Sequence, residues 1–177
     1  MKQPPNLTGR PVADGDLSQF VGCYGHLFEH SPWVVERAYA YAPFADAAAL
    51  HGALLRVLDD ASEAERLALV RAHPKLADKA AIAEGLTADS AAEQASAGLD
   101  RLSASEFEAF HALNTAYAER FGFPFIICVK LHHKAEILAD MRERLTQAPQ
   151  TELVRALTEI GLISRMRLAD IDVGPMA

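Results

Sequence analysis

SASEFEAFHALNTAYAERFG, residues 103–122, is the stretch that decides the fold class. Ser103 stands three residues before Glu106, the spacing at which the two side chains satisfy each other's backbone N–H groups at a helix start. Phe107, Phe110, Asn114, Tyr117 and Phe121 then recur at intervals of three and four, which is one buried face of a helix. Gly122 stands where the left-handed closing residue of a helix belongs. Two more Ser-x-x-Glu pairs, Ser62 with Glu65 and Ser90 with Glu93, mark further helix starts.

The same periodicity extends outward in both directions. Toward the N-terminus it predicts a helix from near Asp16 toward Glu29, a second opened by Ser31-Pro32-Trp33 and stopped by Pro43, and a third over Asp46 to Leu58 with Leu50, Leu54 and Val57 as its apolar stripe. Toward the C-terminus it predicts helices over Lys134 to Leu145 and Thr151 to Leu168. The intervening run FPFIICV, Phe123 to Val129, is uniformly apolar and short, and reads as buried and extended. The expectation is an all-α, compact single-domain bundle of about seven to nine helices over residues 15–172, preceded by a flexible arm over residues 1–14.

Composition agrees. Of 177 residues half are apolar and 23% charged, a globular mixture. The formal net charge of −7 argues against a nucleic-acid partner, which calls for a basic face. No apolar window approaches the roughly 20 residues that span a bilayer, and the polar, Pro-rich beginning lacks a signal core. A cytoplasmic protein is expected, with no membrane partner. Two cysteines, Cys23 and Cys128, supply neither a disulfide framework nor a four-cysteine metal site, and read as reduced packing residues.

Four polar placements break the packing pattern. His73 precedes Pro74 at a helix end, where proline restricts its backbone and the negative end of the helix favours a protonated ring; this is either a helix cap or a general acid. Glu93 and Gln94 follow Ser90 in what reads as a first helical turn. They form either a capping box or, with free N–H groups and the Ser90 hydroxyl, a site for a carbonyl or carboxylate, with Glu93 pairing an imidazole. Arg167 shares an apolar helix face with Leu153, Leu157, Ile160, Ser164 and Leu168 and needs an anion there, either a structural acid or a substrate carboxylate. Cys23, His26 and His30, at i, i+3 and i+7, make a weak metal ladder with no evident fourth ligand, the basis of an alternative reading as a metal-dependent hydrolase. A non-catalytic helical scaffold is the other alternative.

His73-Pro74-Lys75-Leu76-Ala77, then Ser90-Ala91-Ala92-Glu93-Gln94 with Ala97-Gly98-Leu99-Asp100, then Phe121-Gly122-Phe123-Pro124-Phe125-Ile126-Ile127, together resemble the OHCU decarboxylase family, which acts on 2-oxo-4-hydroxy-4-carboxy-5-ureidoimidazoline (OHCU). Phe28-Glu29-His30-Ser31-Pro32-Trp33 and Ile163-Ser164-Arg165-Met166-Arg167-Leu168 resemble the family's ends, so that the likeness runs over about residues 17 to 170. The resemblance implies an all-helical homodimer that removes carbon dioxide from OHCU to leave (S)-allantoin in urate degradation, with no cofactor and no metal. It further implies His73 as catalytic acid, oriented by Glu93, and Pro74 lining the ring pocket. Ser90, Glu93 and Gln94 would bind substrate, backbone groups of Phe125, Ile126, Ile127, Cys128 and Val129 would hold the ring's polar edge, and Arg167 would face its carbonyl or carboxylate. Lys130 stands where the family more often has arginine, whose two-pronged geometry lysine lacks.

Overall fold

A computed structural model describes residues 2–13, 15–77 and 87–171. Among them are eight α-helices and no strand, which is the all-helical fold expected from periodicity. The helices are α1 Leu17–Tyr24, α2 Trp33–Ala38, α3 Ala47–Asp60, α4 Glu63–Arg71, α5 Ala88–Ser96, α6 Ala104–Phe121, α7 Lys134–Arg144 and α8 Pro149–Asp170. None is long and apolar enough to cross a membrane. The chain divides into two compact units, one of Met1–Gln3 with Val70–Ile160 and one of Pro4–Leu69 with Gly161–Ala177.

In the unit that contains Val70–Ile160, α6 fulfils the pattern of residues 103–122. The Ser103 hydroxyl accepts from the Glu106 N–H at 3.2 Å and Glu106 returns the bond to the Ser103 N–H at 2.8 Å. Phe110, Asn114, Tyr117 and Phe121 are buried, and Gly122 closes the helix at φ +74°, a conformation that costs glycine little. Tyr117 packs edge-on against Phe123 and Phe125, so that α6 forms the floor under the extended run. A buried ionic cluster joins α6, α7 and α8. Arg144 lies over the Phe125 ring, 4.4 Å from its centroid, donates to both Glu152 carboxylate oxygens and pairs with Asp140 at 3.2 Å, while the Tyr117 hydroxyl also donates to Glu152. Burial is the largest single influence and works against the Arg144 charge, but the Glu152 hydrogen bonds and the neighbouring Tyr117, Glu152 and Asp140 together outweigh it and hold the guanidinium above its ordinary value.

The other unit shows two departures from expectation. The first helix stops at Tyr24, a 3-10 turn follows over Gly25–Leu27, and His30 has φ +49°. Cys23, His26 and His30 therefore share no continuous helical face, and all three are exposed. Among the described residues no group of three or more His, Cys, Asp or Glu side chains is placed to hold a metal ion, so the ladder behind the metal-dependent alternative does not form. Cys23 is also not the packing residue expected of it, whereas Cys128 is buried.

The second departure is the N-terminal segment. Leu7 is fully buried and Val12 nearly so. Asp46 accepts from the Gly9 N–H at 2.9 Å while capping α3, and Arg10 and Arg165 bond to Ala169 and Pro5 carbonyls. Residues 4–13 are thus bound into this unit and do not form a free arm, because two apolar side chains have a core to enter. Helices α3 and α8 meet at Gly161, whose carbonyl lies 2.9 Å from His51 Nε2 and where a Cβ would stand 2.8 Å from Leu55 Cδ2.

Breaking one side of a buried ion pair strands the other charge, typically at a cost of about 3–5 kcal/mol. Arg144→Met is expected to lower the urea-unfolding free energy by about that much. The double variant Arg144→Met/Glu152→Leu, which leaves no stranded carboxylate, should lose less than the single one. Equal stabilities for wild type and Arg144→Met would show that the pair is not desolvated as described.

Candidate active site

Helix α4 ends at Arg71, and the chain leaves it through His73, whose N–H reaches back to the Val70 carbonyl at 3.4 Å. Pro74 then forbids helical continuation. His73, Leu76 and Ala77 are buried while Pro74 is half-buried, and Ala77 adopts φ +54°. A non-glycine residue in that left-handed region is strained and persists only where neighbours hold it. Two neighbours do. The Ala77 N–H donates to Gln94 Oε1 at 3.0 Å, and the Leu76 carbonyl accepts from Asn114 Nδ2 at 2.7 Å. Arg71 adds a third tie, donating to the Gly122 carbonyl at 3.2 Å.

Helix α5 begins three residues earlier than the Ser90-x-x-Glu93 pattern implies. Thr87 is its cap, with Oγ1 accepting from the Ser90 N–H at 3.3 Å. Ser90 and Glu93 are consequently interior residues, and the capping box expected of them does not form. The correction has a chemical consequence, because Ser90, Glu93 and Gln94 at i, i+3 and i+4 now share one face, and all three are buried. None of the three occupies the capping position of the helix. Gln94 is partly spent, since its Oε1 serves Ala77 and its Nε2 is the end that remains for other contacts.

The run Phe123 to Val129 is buried and belongs to no helix until a 3-10 turn begins at Val129. Its peptide groups must find partners outside secondary structure. Arg144 Nη1 donates to the Ile126 carbonyl at 2.9 Å, and the Cys128 N–H donates to Glu159 Oε2 at 2.9 Å, with Arg155 pairing the other Glu159 oxygen at 2.9 Å. Two of the backbone groups expected to face a ligand across Phe125, Ile126, Ile127, Cys128 and Val129 thus already have internal partners. Helix α5 packs against the turn Val129–Leu131, which carries Lys130. The proximity registers on the Cys128 thiol: burial first, then the negative charges of Glu159 and Glu93, push it up to about 12, with Lys130 pulling the other way. The thiol is therefore held protonated, and Glu93 is placed beside the extended run.

The turn of His73 and Pro74, the face of Ser90, Glu93 and Gln94, and the run Phe125 to Val129 accordingly belong to one unit and are joined by named bonds and packing. Arg167 belongs to the other unit. Its Nη1 meets Glu29 Oε2 at 3.1 Å and the His26 carbonyl at 3.2 Å, with both charged side chains almost fully buried. The anion that its apolar face called for is present within the protein. A cavity of about 370 Å³ in that same unit, bordered by Val12, Phe20, Tyr39, Pro43 and Phe44, includes no member of the candidate site.

Sequence reasoning missed Asn114, Arg144, Glu152 and Glu159 as supports. Asn114 was visible as the one polar member of an aromatic stripe. Glu152 and Glu159, seven residues apart on the stripe of Ala156 and Ile160, were visible as acids on an apolar face.

Residues 15–169 match the family model described as OHCU decarboxylase. A protein of Haloferax volcanii named 2-oxo-4-hydroxy-4-carboxy-5-ureidoimidazoline decarboxylase is 43% identical over 164 residues, 93% of this chain and 95% of its own length. A Bacillus subtilis protein named uric acid degradation bifunctional protein PucL is 39% identical over 156 residues, 88% of this chain and 31% of its own. The crystal structure of an (S)-allantoin synthase superposes with a TM-score of 0.69 at 27% identity, over 88% of this chain and 50% of that one. With the order and spacing of the site segments, these likenesses establish that the chain belongs to the OHCU decarboxylase family.

Proposed function

We propose that this protein decarboxylates OHCU to (S)-allantoin in urate degradation, acting in the cytoplasm as a homodimer. The observation that carries the reading is the Ala77–Gln94 bond, which ties the turn of His73 to the helix face that bears Glu93. The Haloferax volcanii relative, named for this reaction and matched over nearly its full length, supports the choice of substrate.

Loss of carbon dioxide breaks the bond between the ring carbon and its carboxylate and leaves an electron pair behind. That pair conjugates into the neighbouring ring C=N, so the substrate supplies its own electron sink and the reaction needs no organic cofactor. The hydroxyl left on the decarboxylated carbon becomes the ring carbonyl as its proton passes to that ring nitrogen, and one further proton must reach one face of the ring carbon that carries the ureido group, the stereocentre of allantoin. His73 is the donor in this reading, and Glu93 supports its charge and tautomer. Pro74 lines the ring pocket, while Ser90, the Gln94 amide and peptide groups of Phe125 to Val129 hold the ring's polar edge and the developing negative charge. Lys130, beside Cys128, adds a positive charge near that edge. A donor fixed on one side explains a single enantiomer.

Arg167 is assigned to the substrate's carboxylate or carbonyl on charge and planarity, with Glu29 orienting its guanidinium.

His73→Asn is expected to keep the helical circular dichroism and melting temperature of wild type. It should lose roughly 10²- to 10⁴-fold of the rate, the range a general acid supplies. Optical rotation after urate oxidase and the companion hydrolase generate OHCU reads the outcome, and a wild-type signal from the variant would remove His73 from the mechanism. For Arg167→Lys, the expected result is a kcat/KM lowered by about tenfold or more, a single planar-fork contact being worth about 1.5–3 kcal/mol. A melting temperature several degrees lower with unchanged kinetics would instead make Arg167 only the partner of Glu29.

A further inference from the structure

The turn after His73 is gripped from two directions, and only one grip comes from the helix of Glu93. The other is Asn114 of α6, whose Nδ2 donates to the Leu76 carbonyl at 2.7 Å. Asn114 is 8% exposed, and its Oδ1 is completely buried without a hydrogen-bond partner. Its neighbours along the α6 face are Phe110, Tyr117 and Phe121, all buried. Packing alone selects a leucine there, since a buried amide with one end unsatisfied is a net burden on stability. What the amide supplies is direction: a short, buried donor aimed at one carbonyl of a turn that contains a left-handed alanine.

We infer that Asn114 is a positioning residue for the reaction, acting through the Leu76 carbonyl to hold residues 73–77, and with them the His73 imidazole, in the geometry that delivers the proton. This rests on the reading of His73 as the proton donor. Asn114 touches no substrate in this account. With Gln94 on the Ala77 N–H, it restrains both ends of the single Leu76–Ala77 peptide group, its carbonyl held by a donor and its N–H held by an acceptor. Removing one restraint lets the strained turn relax, and a displacement near one ångström at a reacting group costs on the order of 10²-fold in rate.

The test exploits what a carboxyl group does at this position. In Asn114→Asp the ionised side chain has no donor and turns a negative oxygen toward the Leu76 carbonyl. Once protonated, the same group offers an O–H to that carbonyl and restores the bond. Burial and the facing carbonyl both disfavour the ionised form, so this carboxyl titrates well above the ordinary aspartate range. The folded variant is thus short of its clamp above that raised value and regains it as the pH falls. With OHCU generated in place and temperature kept below every melting point, kcat of Asn114→Asp relative to wild type should be down about 10²-fold at pH 8. It should recover by at least tenfold toward pH 6, with KM little changed throughout. Asn114→Leu, which fills the space without a donor, should show a comparable loss at both pH values and a lower enantiomeric purity of allantoin. Wild-type kcat in both variants would overturn the inference, leaving Asn114 a packing residue. A deficit in Asn114→Asp that does not change with pH would overturn it as well. An inactive wild type would instead sink the decarboxylase reading, and this inference with it.

Discussion

The hydrogen bond from the Ala77 N–H to Gln94 Oε1 sets everything that the candidate site can do. Gln94 immediately follows Glu93 on α5, and Ala77 lies four residues after His73. One bond therefore fixes the register between a turn and a helix face, and a slip of α5 by a single turn would break it. The bond is buried, so its loss strands a peptide N–H away from water, and an unmade buried bond costs more than a made one contributes. That asymmetry turns a modest interaction into a constraint on geometry. The peptide group that leads into the left-handed Ala77 is held at its other end as well, where the Leu76 carbonyl accepts from Asn114.

The extended run Phe123 to Val129 obeys the complementary constraint. Buried backbone outside secondary structure needs partners, and this unit supplies them from charged side chains. Arg144 serves the Ile126 carbonyl and Glu159 the Cys128 N–H. Such buried ions are poor sources of stability because desolvation offsets most of their attraction. Their value lies in specificity: an apolar seven-residue run that otherwise slides along an aromatic floor is pinned at two peptide groups. The same electrostatics, burial first and the nearby charges of Glu159 and Glu93 after it, keeps the Cys128 thiol protonated.

Much of this was legible in the chain, and the boundary of legibility is physical. The α6 helix was readable because its caps, period and closing glycine are all local, within 20 residues. The α5 start was not, because Thr87 and Ser90 are both capping residue types, the fuller Ser-x-x-Glu pattern favours Ser90, and only the surroundings choose Thr87. Reading Ser90-x-x-Glu93 as a cap hid the face that Ser90, Glu93 and Gln94 share. The anomaly of Arg167 was legible as a charge on an apolar stripe. Its partner Glu29 lies 138 residues away and carries no mark in sequence that joins the two. The metal ladder of Cys23, His26 and His30 failed for a simpler reason, since spacing implies proximity only while a helix lasts, and this one ends at Tyr24. Leu7 and Val12 were overlooked because two apolar residues in a polar segment make no period.

The central claim is that the imidazole of His73, the α5 face and the run Phe125 to Val129 surround one small ring. Titrating isotopically labelled protein with (S)-allantoin while following His73 ring resonances and backbone amides by NMR tests it directly. The account predicts that the His73 ring signals and the amides of residues 125–129 move together along one saturation curve. Saturable shifts confined to the cavity bordered by Phe20 and Tyr39, with the His73 ring unmoved, would contradict it.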